Sequence, residues 1–254
     1  MKKLKVLLDE LVKKYETSDF IKNDPIQFPH RYTNKQDIEI SGLIASALAY
    51  GKREMFIKKL EYIHSILGDS PHDFCMNFNK QKCAEYFSNF RYRFNCGEDI
   101  IFLLEKLNRI YKNHCSLDDV LLNNLQSESI SAKQATKLLS ELLCSQINSK
   151  SYCYLFPNPL ANSACKRLNL FLKWMVRKSP VDLGIWQSIK AKDLIIPLDV
   201  HVAKVSRNLG LTTRKANDWQ TAEEITARLR EFDADDPVKY DYALFDIGIE
   251  KIVL

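Results

Sequence analysis

Apolar positions recur every three or four residues along most of this 254-residue chain, the spacing of one helix face after another. Leu4, Leu7, Leu8 and Leu11 mark such a face near the start. Residues 36–50 carry Ile40, Leu43, Ile44, Ala47 and Leu48 at the same spacing, and Gly51 closes that run. Residues 53–67 repeat the pattern and stop at Gly68, and Ser70 before Pro71 signals a capped first turn. Helices are predicted over residues 98–113, 116–125 and 131–147, the last ending near Ser149. Ser116 and Ser131 are their N-caps, because a short side-chain oxygen satisfies the first free N–H groups. Two prolines and two asparagines break the pattern over residues 154–164, YLFPNPLANSA. A helix resumes over 165–178, and the mixed segment 179–194 holds one short helix. Another begins after Asp199. Thr221 opens a T-A-E-E capping box for a helix to Phe232, and Asp236–Pro237 caps a final one. No strand pattern of useful length remains, so the expected fold class is all-α.

Composition narrows the function. With 46% hydrophobic residues the chain can bury a large core and is not disordered. A net charge of +5 is compatible with a polyanionic partner and equally with ordinary solubility. Seven cysteines, an odd number with no C-x-x-C pair, suit a reducing, cytoplasmic compartment and form no zinc or iron–sulfur spacing. The seven glycines build neither a P-loop nor a G-x-G-x-x-G turn, and no apolar stretch reaches membrane-spanning length. Asp9 and Glu10 interrupt the first apolar run too early for a signal peptide. No metal, no cofactor and no membrane are therefore called for.

Pro197-Leu198-Asp199-Val200-His201-Val202-Ala203-Lys204-Val205 poses the chemical question. Asp199 stands where an aspartate caps a helix, a role worth ~1 kcal/mol. A carboxylate fixed at a helix start is also kept in its anionic form, so capping and chemistry need not exclude each other. His201 reads as a structural histidine or a site residue. Tyr50 suits a helix end or a binding surface. Lys166, at the start of a helix, suits a solvated or phosphate-contacting lysine. Lys173, Arg177, Lys178, Lys190 and Lys192 form a basic rim or scattered surface charge, and Trp174 and Trp186 line a pocket or fill the core. Arg91 and Arg93 alternate with aromatics in FRYRF, a pattern for nucleic acid or for a local ion pair.

The stretches DIEISGLIASALAYGKR, SACKRLNLFLKWMVR, DLGIW, LIIPLDVHV and DPVKYDYALFDIG, spread over nearly the whole chain, resemble the DUF2400 family. A helix, a Pro/Asn hairpin, a lysine-bearing helix and a later P-L-D-V-H-V also resemble the helix–hairpin–helix (HhH-GPD) DNA glycosylase superfamily, whose members carry P-V-D-T-H-V-x-R-V. The resemblance implies two helical subdomains with a cleft between them. One would span residues 31–192, with the helix–hairpin–helix element at about 131–178. The other would be assembled from 1–30 and 193–254. It implies a base-excision repair enzyme that flips a damaged base and hydrolyses its N-glycosidic bond, or else a nucleic-acid-binding protein that keeps the fold without the catalysis. Asp199 would be the catalytic carboxylate and Lys166 the Schiff-base lysine of an AP-lyase activity. Tyr50, Lys52, Arg53, Asn162, Ser163, Arg167 and His201 would contact double-stranded DNA, bound by a monomer. Two departures stand out. The hairpin NPLANSACK has no glycine, leaving Asn162 to supply a left-handed residue. No cysteine follows Cys165, so the four-cysteine iron–sulfur motif of endonuclease III-type members is absent.

Overall fold

A computed structural model describes residues 2–124 and 129–250. The order is α1 (Lys2–Tyr15), α2 (Ser18–Ile21), α3 (Lys35–Leu48), α4 (Arg53–Leu67), α5 (Pro71–Met76), α6 (Lys80–Tyr86), β1 (Arg91–Tyr92), β2 (Asn95–Cys96), α7 (Gly97–Asn113), α8 (Leu117–Leu122) and α9 (Ala132–Cys144). Then come α10 (Lys150–Leu155), α11 (Lys166–Val176), α12 (Val200–Asn208), α13 (Trp219–Arg230) and α14 (Asp241–Glu250), with short 3-10 turns between several of them. The class is all-α, as the periodicity predicts.

Helix α3 is the hub. Every residue from Asp37 to Leu48 is buried, and it packs against α4, α5 and α11. Gly42 lets α11 approach closely, since a Cβ there would lie 2.7 Å from Met175 Cε. Glu39 is also buried in α3. It accepts hydrogen bonds from Tyr111 Oη (2.8 Å), the Leu117 amide (2.8 Å) and Trp186 Nε1 (2.7 Å). One carboxylate thus ties α7, α8 and the segment before α12 to α3, and it places Trp186 in the core. Burial nevertheless outweighs these donors and pushes the Glu39 carboxyl up to about 7.

The two chain ends meet. Helix α14 packs on α12 and α1, and the 3-10 turn Pro237–Tyr240 packs on α13 and α1. Ion pairs fasten this group to α11. Lys173, fully buried, sits 2.6 Å from Asp241 and 3.4 Å from the centre of the Tyr242 ring. Arg177 engages Glu16, Asp182 (2.6 Å) and Asp236 (2.7 Å), and Tyr242 donates to Asp182 (2.6 Å). Of the expected basic rim, Lys173 and Arg177 are therefore interior cations, because each has buried carboxylates to meet. Lys178, Lys190 and Lys192 are exposed.

Asn34, Ser70, Ser116 and Ser131 cap helices through their side chains. Ser149 does not end a helix: α9 stops at Cys144, and Ser149 caps the separate α10. Thr221 does not open α13. Asp218 caps it from three residues earlier, accepting from the Thr221 amide (2.8 Å) and hydroxyl (2.9 Å). Asp236 makes no capping bond, because Arg177 holds its carboxylate. The one short helix expected in segment 179–194 is the 3-10 turn Ala191–Asp193. A two-residue antiparallel hairpin pairs Arg91 with Cys96 and Tyr92 with Asn95, too short for any alternation to reveal. Residue 125, the end of the predicted 116–125 helix, lies outside the described residues.

Two variants test this framework. Lys173→Met leaves Asp241 buried without its cation and is expected to lower unfolding stability by about 3–5 kcal/mol in urea titrations. An unchanged midpoint would mean that the pair does not hold the ends together. Glu39 binds its proton more tightly in the folded state than in the unfolded one, so its ionisation erodes stability as pH rises from about 4.5 to about 7. Glu39→Gln lacks that penalty and should therefore gain on the wild type across this window. A difference that stays constant with pH would contradict the assignment.

Candidate functional site

A cavity of about 1030 Å³ opens where the α3–α4 junction, α11, α12 and α14 converge. Tyr50, Arg53, Ser163, Lys166, Arg167, Asp199 and His201 all line it, although they lie up to 151 positions apart in the chain. Lys52 and Asn162, also singled out in the sequence, are exposed and lie outside the lining. Among the lining residues, Arg53, Lys166, Arg167 and Lys173 face Asp24, Glu54, Asp199 and Asp241, so the charges balance. The mild excess of positive charge in the chain is not concentrated in this wall.

Asp199 answers the question its sequence position raised. Its Oδ1 accepts from the His201 amide (2.8 Å) and the Val202 amide (2.9 Å), so it caps α12. Among the described residues Oδ2 has no hydrogen-bond partner, and Asp199 is only half-buried on the cavity wall. The cap fixes the carboxylate with one oxygen and leaves the other available to the cavity. His201 contributes its backbone amide, and its side chain is exposed.

Lys166 is the first residue of α11 and is half-buried. Its Nζ donates to the carbonyl of Ala49 (3.2 Å), at the end of α3. Burial lowers its pKa, while Asp199, Asp24 and Asp241, in that order, act to keep it charged. A lysine so placed holds more of its amine in the neutral, nucleophilic form than a surface lysine does. Asp24 was not foreseen. It caps the 3-10 turn Pro25–Gln27 by accepting from the Ile26 amide (3.0 Å), and burial raises its carboxyl pKa against the pull of Arg53, Lys173 and Lys166. Its only sequence signal is Asp before Pro, a turn-start pair that carries no hint of a cavity.

The hairpin between α10 and α11 bends without glycine. Asn162 (φ 57°) is left-handed as expected, and so is Cys165 (φ 48°), which was not foreseen. The hairpin spends its own amides internally. Leu160 donates to Asn158 Oδ1 (2.9 Å), Ala161 to the Asn158 carbonyl (3.1 Å), Asn162 to the Pro159 carbonyl (3.0 Å) and Cys165 to Ser163 Oγ (3.2 Å). Ser163 also bridges to Asp218, which docks the hairpin against the start of α13. Arg167 is buried and donates to the carbonyls of Tyr154 and Ala47, beneath the rings of Tyr154 and Tyr50. Tyr50 donates to Asn95 Oδ1 (2.6 Å), and burial pushes its hydroxyl up to about 12. Trp174 touches the cavity from the core.

These features define an all-α protein with a large cavity carrying a capped aspartate and a half-buried lysine. The chain belongs to the DUF2400 family, described as "Protein of unknown function (DUF2400)", whose model matches residues 24–250. No curated protein and no solved structure matches it. Among the described residues no helix is long and apolar enough to cross a membrane, and no cluster of three or more His, Cys, Asp or Glu side chains could hold a metal ion.

The dual duty of Asp199 can be separated by mutation. Asp199→Ala removes the cap and should cost ~1 kcal/mol of stability, whereas Asp199→Asn, itself a good cap, should stay within a few tenths. Equal destabilisation by both variants in thermal melts would show that charge, rather than capping, sets the fold contribution.

Proposed function

We propose that this protein is a base-excision DNA glycosylase-like enzyme. It would take a damaged base from double-stranded DNA into the cavity and cleave its N-glycosidic bond. One observation carries the reading: Asp199 at the start of α12 and Lys166 at the start of α11 meet on one cavity wall, with Asp199 Oδ2 left unbonded. The order of α10, hairpin, α11 and later α12 supports an HhH-GPD arrangement, with the ends of the chain forming the second subdomain.

The chemistry follows from the two groups. As the C1′–N bond breaks, its electron pair leaves with the base and positive charge grows on the sugar. The Asp199 carboxylate offsets that charge and takes the proton of a water whose oxygen bonds to C1′. In a lyase route the neutral Lys166 amine attacks C1′ as the base leaves with the C1′–N electron pair; opening of the C1′–O4′ bond, whose pair goes to O4′, with loss of the amine proton then gives the Schiff base. The cavity volume of about 1030 Å³ has room for an extruded nucleotide.

A second reading has its own support. Four hairpin amides, those of Leu160, Ala161, Asn162 and Cys165, are already bonded within the hairpin, and the cavity charges balance. Both features suit a nucleic-acid-binding protein without catalysis. Glycosylase assays on a panel of damaged duplexes, with borohydride trapping, separate the two. The enzyme reading expects base release reduced at least about a hundredfold in Asp199→Asn, and any trapped adduct lost in Lys166→Ala. DNA bound in a salt-dependent way and never cleaved would establish the second reading.

A further inference from the structure

Outside the cavity, the FRYRF segment finds a use that neither the core nor the proposed chemistry accounts for. Strands β1 and β2 form a hairpin with Arg93 and Phe94 at its tip. Its base is anchored. Asn95, buried, donates to Asp99 Oδ2 (2.9 Å) and to the Ser151 carbonyl (2.7 Å), and it accepts from Tyr50 (2.6 Å). Tyr92, also buried, donates to the Tyr50 carbonyl. The tip is then raised into solvent. Phe94 is 62% exposed and Arg93 adopts φ 50°, an uncommon conformation for a side-chain-bearing residue. Neither Arg91 nor Arg93 forms an ion pair among the described residues, so the local ion pair considered for this segment is not made.

Phe94 stands over more than one element. Its ring meets Tyr154 of α10 edge-on at 5.5 Å, and Tyr154 is itself 44% exposed. Tyr154 in turn meets Tyr50 at 5.5 Å. Arg93 lies 5.8 Å from the Phe94 ring and 5.9 Å from the Tyr50 ring. It also covers Gly51, where a Cβ would fall 2.7 Å from its Nη1. Tyr50, Gly51 and Tyr154 line the cavity, so the exposed aromatic pair forms its lip. A single exposed phenylalanine needs no explanation. An exposed ring held on an anchored hairpin, paired with a second exposed ring and flanked by uncompensated arginines, offers a π-face together with positive charge. Unpaired bases on a phosphate chain offer the complement of both.

We propose that Phe94 and Tyr154, with Arg93, form a stacking platform at the cavity lip for unpaired nucleotides of a DNA strand. The proposal builds on the nucleic-acid reading above and adds to it that the protein favours DNA with bases already out of the helix. It needs no catalysis.

Anisotropy titrations of the full-length protein with three labelled DNA probes test it: a single strand, a fully paired duplex, and the same duplex with a three-base unpaired bulge. The wild type should bind the single strand and the bulge more tightly than the duplex. Phe94→Ala should weaken binding to both by roughly 5- to 150-fold, the loss of one base–aromatic stack, and change duplex binding less than twofold. Phe94→Trp should restore affinity, and its fluorescence should be quenched by the single strand. Circular dichroism checks folding, which an exposed tip residue should leave intact. Equal affinity for all three probes, or no binding to any, would overturn the proposal. So would Phe94→Ala binding the bulge as the wild type does. Base release that depends on Asp199 while Phe94→Ala leaves every affinity unchanged would remove the platform and keep the enzyme. Bulge-selective binding without base release would do the reverse.

Discussion

The structure depends on the pairing of two buried cations, one in α11 and one at its C-cap. Lys173 and Arg177 point into the interior, where an unpaired charge is prohibitively costly. Asp182 is a nearby partner of Arg177, but the others are distant: Asp241 comes from α14, Glu16 from the end of α1 and Asp236 from the turn before α14. Satisfying α11 therefore requires both ends of the chain to dock on it. Helix α12 packs on α14, so docking α14 carries α12, and with it Asp199, to the cavity wall where α11 begins with Lys166. Residues 33 positions apart meet because of ion pairs that neither of them makes.

Much of this fold was legible in the sequence because helices advertise themselves locally. Periodic leucines and isoleucines, serine caps and Gly51 set the limits of α3, α4, α8 and α9 to within a few residues. Failures came where a residue answered to a distant partner. Asp236 looked like a cap and serves Arg177. Thr221 looked like a cap and is bonded by Asp218, which lies one turn earlier. Lys173 and Arg177 looked like surface charge, because nothing nearby in sequence announces Asp241 or Glu16. The site shows the same division. Asp199 and Lys166 could be named from their motifs, whereas Asp24 and Tyr154 join them only through tertiary contact, which local spacing does not encode.

Asp199 also shows how one side chain serves two ends without conflict. Two backbone amides on Oδ1 fix the torsions of the carboxylate. Preorganisation of this kind allows a charge to act in a transition state without reorganising first. The hairpin before α11 is built on the opposite principle. By bonding four of its amides internally and docking on Asp218 it gains rigidity, and those four N–H groups are no longer open to a phosphate. Exposed side chains near the cavity, the arginines of the β1–β2 hairpin among them, offer positive charge to a polyanion.

The central claim is that Asp199 presents its unbonded oxygen to positive charge developing on a sugar. Its most direct measurement compares two duplexes that differ at one position, one carrying a cationic azasugar in place of the nucleoside and the other a neutral tetrahydrofuran. The account expects the azasugar duplex to bind at least about a hundredfold more tightly, in the manner of a transition-state analogue, and that preference to vanish in Asp199→Asn. Equal affinity of the wild type for the two duplexes, or a preference that survives the substitution, would contradict it.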